Sequence, residues 1–380
     1  MIRKIFSTIK NYKLSNLNFR LLIYVLAVTF IGIFCIGSAT EGEDFQFKQI
    51  LGFALGIIVL IIFTLLSYKF VFKFYWLIYA ATIVLLALVM VAGTTSKGAK
   101  RWIDLGFVQF QPSEIAKVFL IIFVATYLYK RRETLNTFKT IAGVTLFAAM
   151  VFGLIFLEPD LSTTIVIFIT FCAITFLSGI HYKIVTGVII ISIPIVLVLG
   201  YYVSQPNNKI LKGYQYLRIV GFFQEDNAKA KDLRYQQENS LLAIGSGGLT
   251  GKGLDNNDIT SVKNGNLISE SHTDFIFTIV GEELGFIGGA AVIILLLLIV
   301  LECFITGSRA PTYSGRLFCY GFGVLIGTQT LVNIAVATML LPNTGVTLPF
   351  VSYGLTSLLS LYFGIGVVLN IGLQRTKAML

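Results

Sequence analysis

Charge is what this sequence has least of. Only 13% of its 380 residues are Asp, Glu, Lys or Arg, against roughly a quarter in a soluble domain. That scarcity excludes a soluble globular enzyme. Histidine occurs twice, too seldom to build a histidine metal site. The four cysteines, Cys35, Cys172, Cys303 and Cys319, are scattered in or beside apolar runs. They form no metal-ligand cluster and read as small apolar packing residues. P-loop, GxSxG, HExxH and paired CxxC motifs are all missing. A glycine cluster at Gly245–Gly253 lacks both the preceding strand and the Lys-Ser/Thr of a phosphate loop, so nucleotide hydrolysis is not expected.

Apolar residues are what is there. They make up 56% of the chain, and the mean hydropathy is +0.83. A disordered chain needs low hydrophobicity, and a membrane β-barrel needs short segments of alternating polarity. Here the apolar runs are long and continuous, so the expected fold class is all-α and polytopic. Each membrane-crossing helix needs about 20 mostly apolar residues. Counting such runs predicts spans at about 21–40, 49–68, 74–96, 112–129, 140–157, 161–182, 184–204 and 274–301. The stretch from Leu317 to Gln374 contains no Asp, Glu, Lys or Arg and is too long for one helix. Pro342-Asn343-Thr344-Gly345 divides it in two. About ten transmembrane helices result, in one membrane domain covering residues 1–380, with no internal repeat.

The net charge of +10 comes from basic residues placed between the apolar runs, not from a nucleic-acid-binding face. With the N-terminus inside, sixteen Lys and Arg fall on inner segments and four (Lys48, Lys97, Lys100, Arg101) on short outer loops. By the positive-inside rule both termini are expected in the cytoplasm. Gly37-Ser38-Ala39 resembles a cleavage site, but the spans that follow argue against a removed signal peptide. A long outer loop, about 205–273, joins spans seven and eight. Its aromatics and glycines favour an ordered, partly membrane-associated element.

Charged groups inside membrane spans are costly and mark interior or functional surfaces. Glu114 and Lys117 stand three apart on span four. They form either a structural ion pair or the wall of a polar cavity. Asp160, in Glu158-Pro159-Asp160, precedes a helix and suits an N-cap or a place at the cavity edge. Asp274 leads into Phe275-Ile276-Phe277. It is either an N-cap or a partly buried carboxylate with a raised pKa, fit for general-base work. On one continuous helix, at about 100° per residue, Glu282 and Glu283 would point about 80° and 180° away from Asp274. Both read as capping groups or partners of a basic loop residue. Lys100, Arg101 and Trp102 lie just outside span four, where cations beside an interfacial Trp suit lipid phosphate. These groups gather at the outer face, where nucleotides are absent, so an activated donor used there would be lipid-borne.

Seven motifs occur in order along the chain. They are Lys100-Arg101-Trp102-Ile103, Gln111-Pro112-Ser113-Glu114 with Lys117, Glu158-Pro159-Asp160, and Ser246-Gly247-Gly248-Leu249 with Gly251-Lys252-Gly253. Then come Ser269-Glu270-Ser271-His272-Thr273-Asp274-Phe275-Ile276-Phe277, Glu282-Glu283-Leu284-Gly285 and Pro349-Phe350-Val351-Ser352-Tyr353-Gly354. Together they resemble the SEDS family (shape, elongation, division, sporulation), most closely its elongation branch. Three positions depart from the family pattern: Glu158 replaces Gln, Ser162-Thr163 replaces Gly-Thr, and Leu355 replaces a second Gly.

The resemblance implies a peptidoglycan glycosyltransferase that polymerises lipid II on the outer face of the bacterial cytoplasmic membrane, for cell elongation and shape. It implies a class B penicillin-binding protein as partner within the elongation machinery, and no nucleic acid. Asp274 would be the catalytic base. Lys100 and Arg101 would contact pyrophosphate, with Trp102 against sugar or lipid. Glu114 and Lys117 would line the cavity that Asp160 shapes. No protein-built metal site is expected, and the cation the chemistry admits is an auxiliary Mg or Mn. The competing readings are a lipid II flippase, a division or sporulation polymerase, and a non-catalytic scaffold.

Overall fold

The computed structural model describes residues 12, 14–40, 44–96, 99–104, 106, 109–183, 186–187, 190, 222, 231–255, 261, 268 and 271–374. Its long helices are α1 (Phe19–Ala39), α2 (Phe45–Leu65), α4 (Tyr75–Ala92), α5 (Pro112–Lys130), α6 (Phe138–Leu157), α7 (Leu161–Leu177), α9 (Ile276–Ser308), α10 (Tyr313–Ala337) and α11 (Leu355–Leu373). A short α3 (Tyr68–Lys73) links α2 to α4, and α8 (Lys231–Ser246) lies within the long loop. Among the described residues, eight helices are long and apolar enough to cross a membrane, and α7 is a shorter apolar helix. They correspond to nine of the predicted spans. Most of the seventh, 184–204, and most of the 205–273 loop lie outside the described residues.

Local chemistry explains most helix starts. Pro112 opens α5, where its fixed φ suits the first turn and its missing N–H costs nothing. Asn18, Asp160 and Thr312 each accept a backbone N–H at the start of α1, α7 and α10, as N-caps do. Helices α5 and α11 are the most enclosed, with most of their residues buried. Helix α11 packs chiefly on α2, while α9 packs on α10 and α1. The apolar side chains exposed on α2, α4 and α9 belong to the lipid-facing surface.

Two predicted spans need correction. The third helix ends at Ala92, not Ser96. Gly93 is extended, and the β-branched pair Thr94-Thr95 enters a strand instead. Strands β1 (Thr94–Ser96), β2 (Ala99–Asp104) and β3 (Gln109–Phe110) form a small antiparallel sheet in the order β1-β2-β3. The sequence signalled helix up to Ser96 and only a loop beyond it.

The eighth span is not one rod from Asp274. Gly285 has φ 65° and ψ −163° and breaks α9 into an outer piece and a long membrane piece. The two helical bonds that would run from Phe286 and Ile287 to the carbonyls of Glu282 and Glu283 are replaced. Phe286 and Ile287 donate to Gly248 O (2.9 Å) and Leu249 O (3.1 Å), and Lys252 and Gly253 donate to Glu282 O and Glu283 O (3.0 Å each). The glycine cluster is therefore a backbone clasp around the kink. A Cβ at Gly285 would stand 2.3 Å from Gly251 N, so no larger residue fits that contact.

Candidate active site

Asp274 is half-buried in a turn just before α9. Phe275, not Asp274, stands at the cap position of α9. With Asp274 outside the helix, the angular relation drawn to Glu282 and Glu283 does not apply.

The turn is held through its backbone. Tyr353 N donates to His272 O at 2.9 Å. Ser352 Oγ donates to Thr273 O at 2.7 Å. Asn333 Nδ2 donates to Asp274 O at 2.9 Å and also to Val346 O at 2.7 Å. The segment supplying these donors is itself tightly fixed. Ser352 Oγ accepts from Leu348 N at 2.7 Å, and Gln49 on α2 bonds Ser352 O and Gly354 N, each at 3.3 Å. Phe350 adopts φ 64°, a left-handed conformation rare for a bulky residue. Beside the turn, His272 stacks on Phe45 at 4.5 Å with Tyr353 edge-on to Phe45 at 4.9 Å.

A hydrogen-bond chain links this turn to the other predicted residues. Ser162 Oγ bonds Thr344 O, joining the start of α7 to the 338–354 segment. Asp160 caps α7 by accepting from Thr163 N at 3.1 Å, and its other oxygen accepts from Gln111 Nε2 at 3.4 Å. Gln111 N donates to Thr356 Oγ1, and Thr356 Oγ1 donates to Gln109 O, each at 3.3 Å. The starts of α5, α7 and α11 and the Asp274 turn thus share one rim.

Glu114 and Lys117 lie below Gln111 on α5. Lys117 Nζ contacts Glu114 Oε1 at 2.7 Å, with both side chains almost fully buried. The pair is internal to one helix. Glu114 Oε2 is buried with no partner among the described residues. Lys117 also lines a small pocket with Leu120, Ile121, Thr170, Phe171 and Leu325.

Arg101, on β2, donates from Nε to Glu158 O at 3.3 Å and from Nη2 to Pro159 O. Its guanidinium ties the sheet to the α6–α7 turn. Lys100 is exposed and Trp102 half-buried on the same strand. Glu282 pairs with Lys252 at 2.7 Å, the loop partner expected for it, and Glu283 accepts from Ser38 Oγ. Sequence reasoning passed over Asn333 and Gln49, and named Ser352 and Gln111 within motifs without giving either a role. The available signal was an isolated polar residue within an otherwise apolar span, as at Gln49 and Asn333.

Glu158 is 1% exposed, and both carboxylate oxygens lack partners among the described residues. Burial, reinforced by Asp160 and opposed by Arg101, pushes its pKa from 4.5 up to about 8. At neutral pH it is mostly the protonated acid, a close chemical stand-in for glutamine. Because the folded pKa lies above the unfolded one, its contribution to stability is full below about pH 4.5 and is lost as pH rises through about 8. Glu158→Gln is expected to flatten this part of the stability profile, measured as the thermal unfolding midpoint across pH 5–9. Equal slopes in variant and wild type would refute the assignment.

The FtsW/RodA/SpoVE family, described as cell cycle proteins, matches residues 16–377. The peptidoglycan glycosyltransferase MrdB of Escherichia coli K12 is 30% identical over 356 residues, covering 93% of each chain. A probable peptidoglycan glycosyltransferase FtsW of Tolumonas auensis is 35% identical over 298 residues, 77% of this chain and 73% of that protein. The rod shape determining protein RodA of Thermus thermophilus superposes with a TM-score of 0.69 and 28% identity, over 94% of this chain and 97% of that one. A chain solved in a study of polymerization and crosslinking by a peptidoglycan synthase complex gives a TM-score of 0.78 at 28% identity, over 95% of this chain and 99% of that one.

Proposed function

The chain belongs to the FtsW/RodA/SpoVE family, and from that premise we propose that it polymerises lipid II for cell elongation with Asp274 as general base. It is a peptidoglycan glycosyltransferase and a multi-pass protein of the cytoplasmic membrane. The observation that carries the mechanistic reading is the Asp274 turn, half-buried and pinned at three successive carbonyls. A base must be held within reach of the proton it removes, and this carboxylate sits on an over-determined backbone.

In the proposed reaction Asp274 takes the proton from the 4-hydroxyl of an acceptor GlcNAc as that oxygen attacks the anomeric carbon of a donor MurNAc. The carbon–oxygen bond to undecaprenyl pyrophosphate breaks. The donor bond is α and the product bond β, so one inverting displacement suffices. Pyrophosphate needs charge stabilisation rather than protonation to leave. Exposed Lys100 is the candidate contact, with Arg101 holding the neighbouring backbone and Trp102 offering an apolar face. Glu114 and Lys117 form the floor beneath the rim, and Asp160 shapes its edge. No group of three His, Cys, Asp or Glu suited to a metal occurs among the described residues. A Mg or Mn ion would add charge stabilisation at the substrate's pyrophosphate.

Both termini are assigned to the cytoplasm from the charge distribution of the short loops, which puts the Asp274 rim outside. Near-complete coverage of MrdB and RodA favours elongation; the 35% identity to an FtsW relative favours division as the second reading. The class B penicillin-binding protein partner is proposed from the family resemblance, with the synthase-complex neighbour in support. The test is glycan synthesis from purified lipid II, by the chain alone and with that partner. Glycan ladders are expected. Lipid II translocation in proteoliposomes without any ladder would replace the enzyme reading with the flippase.

A further inference from the structure

We infer that Asn333 and Ser352 are positioning residues for glycosyl transfer, holding the Asp274 turn in its reactive geometry through its backbone. The inference rests on the reading of Asp274 as base. Three consecutive carbonyls, those of His272, Thr273 and Asp274, each accept a hydrogen bond from α10 or the 338–354 segment. A peptide plane bound at its carbonyl cannot rotate without breaking that bond. Three bound planes in a row therefore fix the direction in which the Asp274 side chain leaves the backbone.

Asn333 is the costliest of these anchors. It is 1% exposed on α10, and its Oδ1 is buried with no partner among the described residues. An apolar residue there would avoid burying an unmet acceptor. What the amide supplies is two donors on one nitrogen, to Asp274 O and to Val346 O. It locks the turn to the segment that bonds the start of α7 through Thr344. Ser352 is 5% exposed and acts in both directions, accepting from Leu348 N and donating to Thr273 O. The hydroxyl closes its own loop and then presents that loop to the turn.

The test is steady-state polymerisation of lipid II by full-length Asn333→Leu, Ser352→Ala, the double variant and Ser352→Thr, beside wild type and Asp274→Asn. Displacing a catalytic group by about 1 Å costs about a hundredfold in rate. Asn333→Leu and Ser352→Ala are each expected to lower kcat by up to about a hundredfold with KM unchanged, and to move the acid limb of the pH–rate profile. Both act through one turn, so the double variant should lose less than the product of the two losses. Ser352→Thr, which keeps the hydroxyl, should recover most of the rate.

A purely structural role would instead lower the amount of folded protein, leaving kcat per folded molecule and the pH limb at wild-type values. That result overturns the inference. Should Asn333→Leu not fold, Ser352→Ala and its threonine rescue carry the same test. Wild-type kcat in Ser352→Ala and Asn333→Leu alongside a dead Asp274→Asn would sink this inference alone. A fully active Asp274→Asn would remove the base assignment beneath it.

Discussion

Asp274→Asn is expected to abolish glycan polymerisation while the protein stays folded and binds lipid II. Asparagine has nearly the same volume but cannot accept the acceptor's proton. Loss of a general base typically costs about 10²- to 10⁴-fold in rate. The structure gives specific reasons to expect intact folding. Asp274 lies one residue before the cap position of α9, which Phe275 occupies. The turn is anchored at the carbonyls of residues 272–274, which the substitution leaves in place. The measurement pairs ladder formation with lipid II binding on the same preparation. Ladders at the wild-type rate would show that the proton goes elsewhere.

The second large effect is expected at the intramembrane pair. Lys117→Met leaves the Glu114 carboxylate buried beside a thioether, with one oxygen already lacking a partner. Breaking a buried pair from one side costs about 3–5 kcal/mol, whereas replacing both partners by apolar residues is often neutral or better. The thermal midpoint should therefore fall sharply in Lys117→Met and recover in the Glu114→Met/Lys117→Met double variant. Polymerisation should stay absent in both, because the double variant restores packing without restoring the polar floor under the rim. A stable double variant that polymerises normally would reduce the pair to a structural device.

Much of the fold was legible because lipid imposes long apolar runs with charge confined to their ends. The span beginning at Pro112 was read correctly despite Glu114 and Lys117, since proline marks its start and apolar residues surround the pair. Errors arose where the backbone, not side-chain polarity, decides structure. Thr94-Thr95 continues an apolar run in composition, yet the chain turns into a strand there. Gly285 looks like one more small residue, yet it ends one helix and begins another. The candidate site was half legible for the same reason. Asp274, Glu114 and Lys117 stand out as charges where charge is costly. Asn333 and Ser352 act on carbonyls far away in sequence, a pairing that appears only once the chain is folded. Glu158 shows the converse: its departure from the family's glutamine was visible, while its neutrality depends on burial.

The clasp around Gly285 has a mechanical consequence. The membrane piece of α9 must follow the bilayer, tilting when the hydrocarbon slab thickens or thins. A straight rod would deliver that tilt to its outer tip. Here the rod is jointed, and the joint is bonded to the loop while the tip beyond it is bonded to α10 and the 338–354 segment. The helical bonding that would carry that tilt to the reaction end is interrupted at one glycine, so the reaction end and the membrane anchor are two separately bonded pieces.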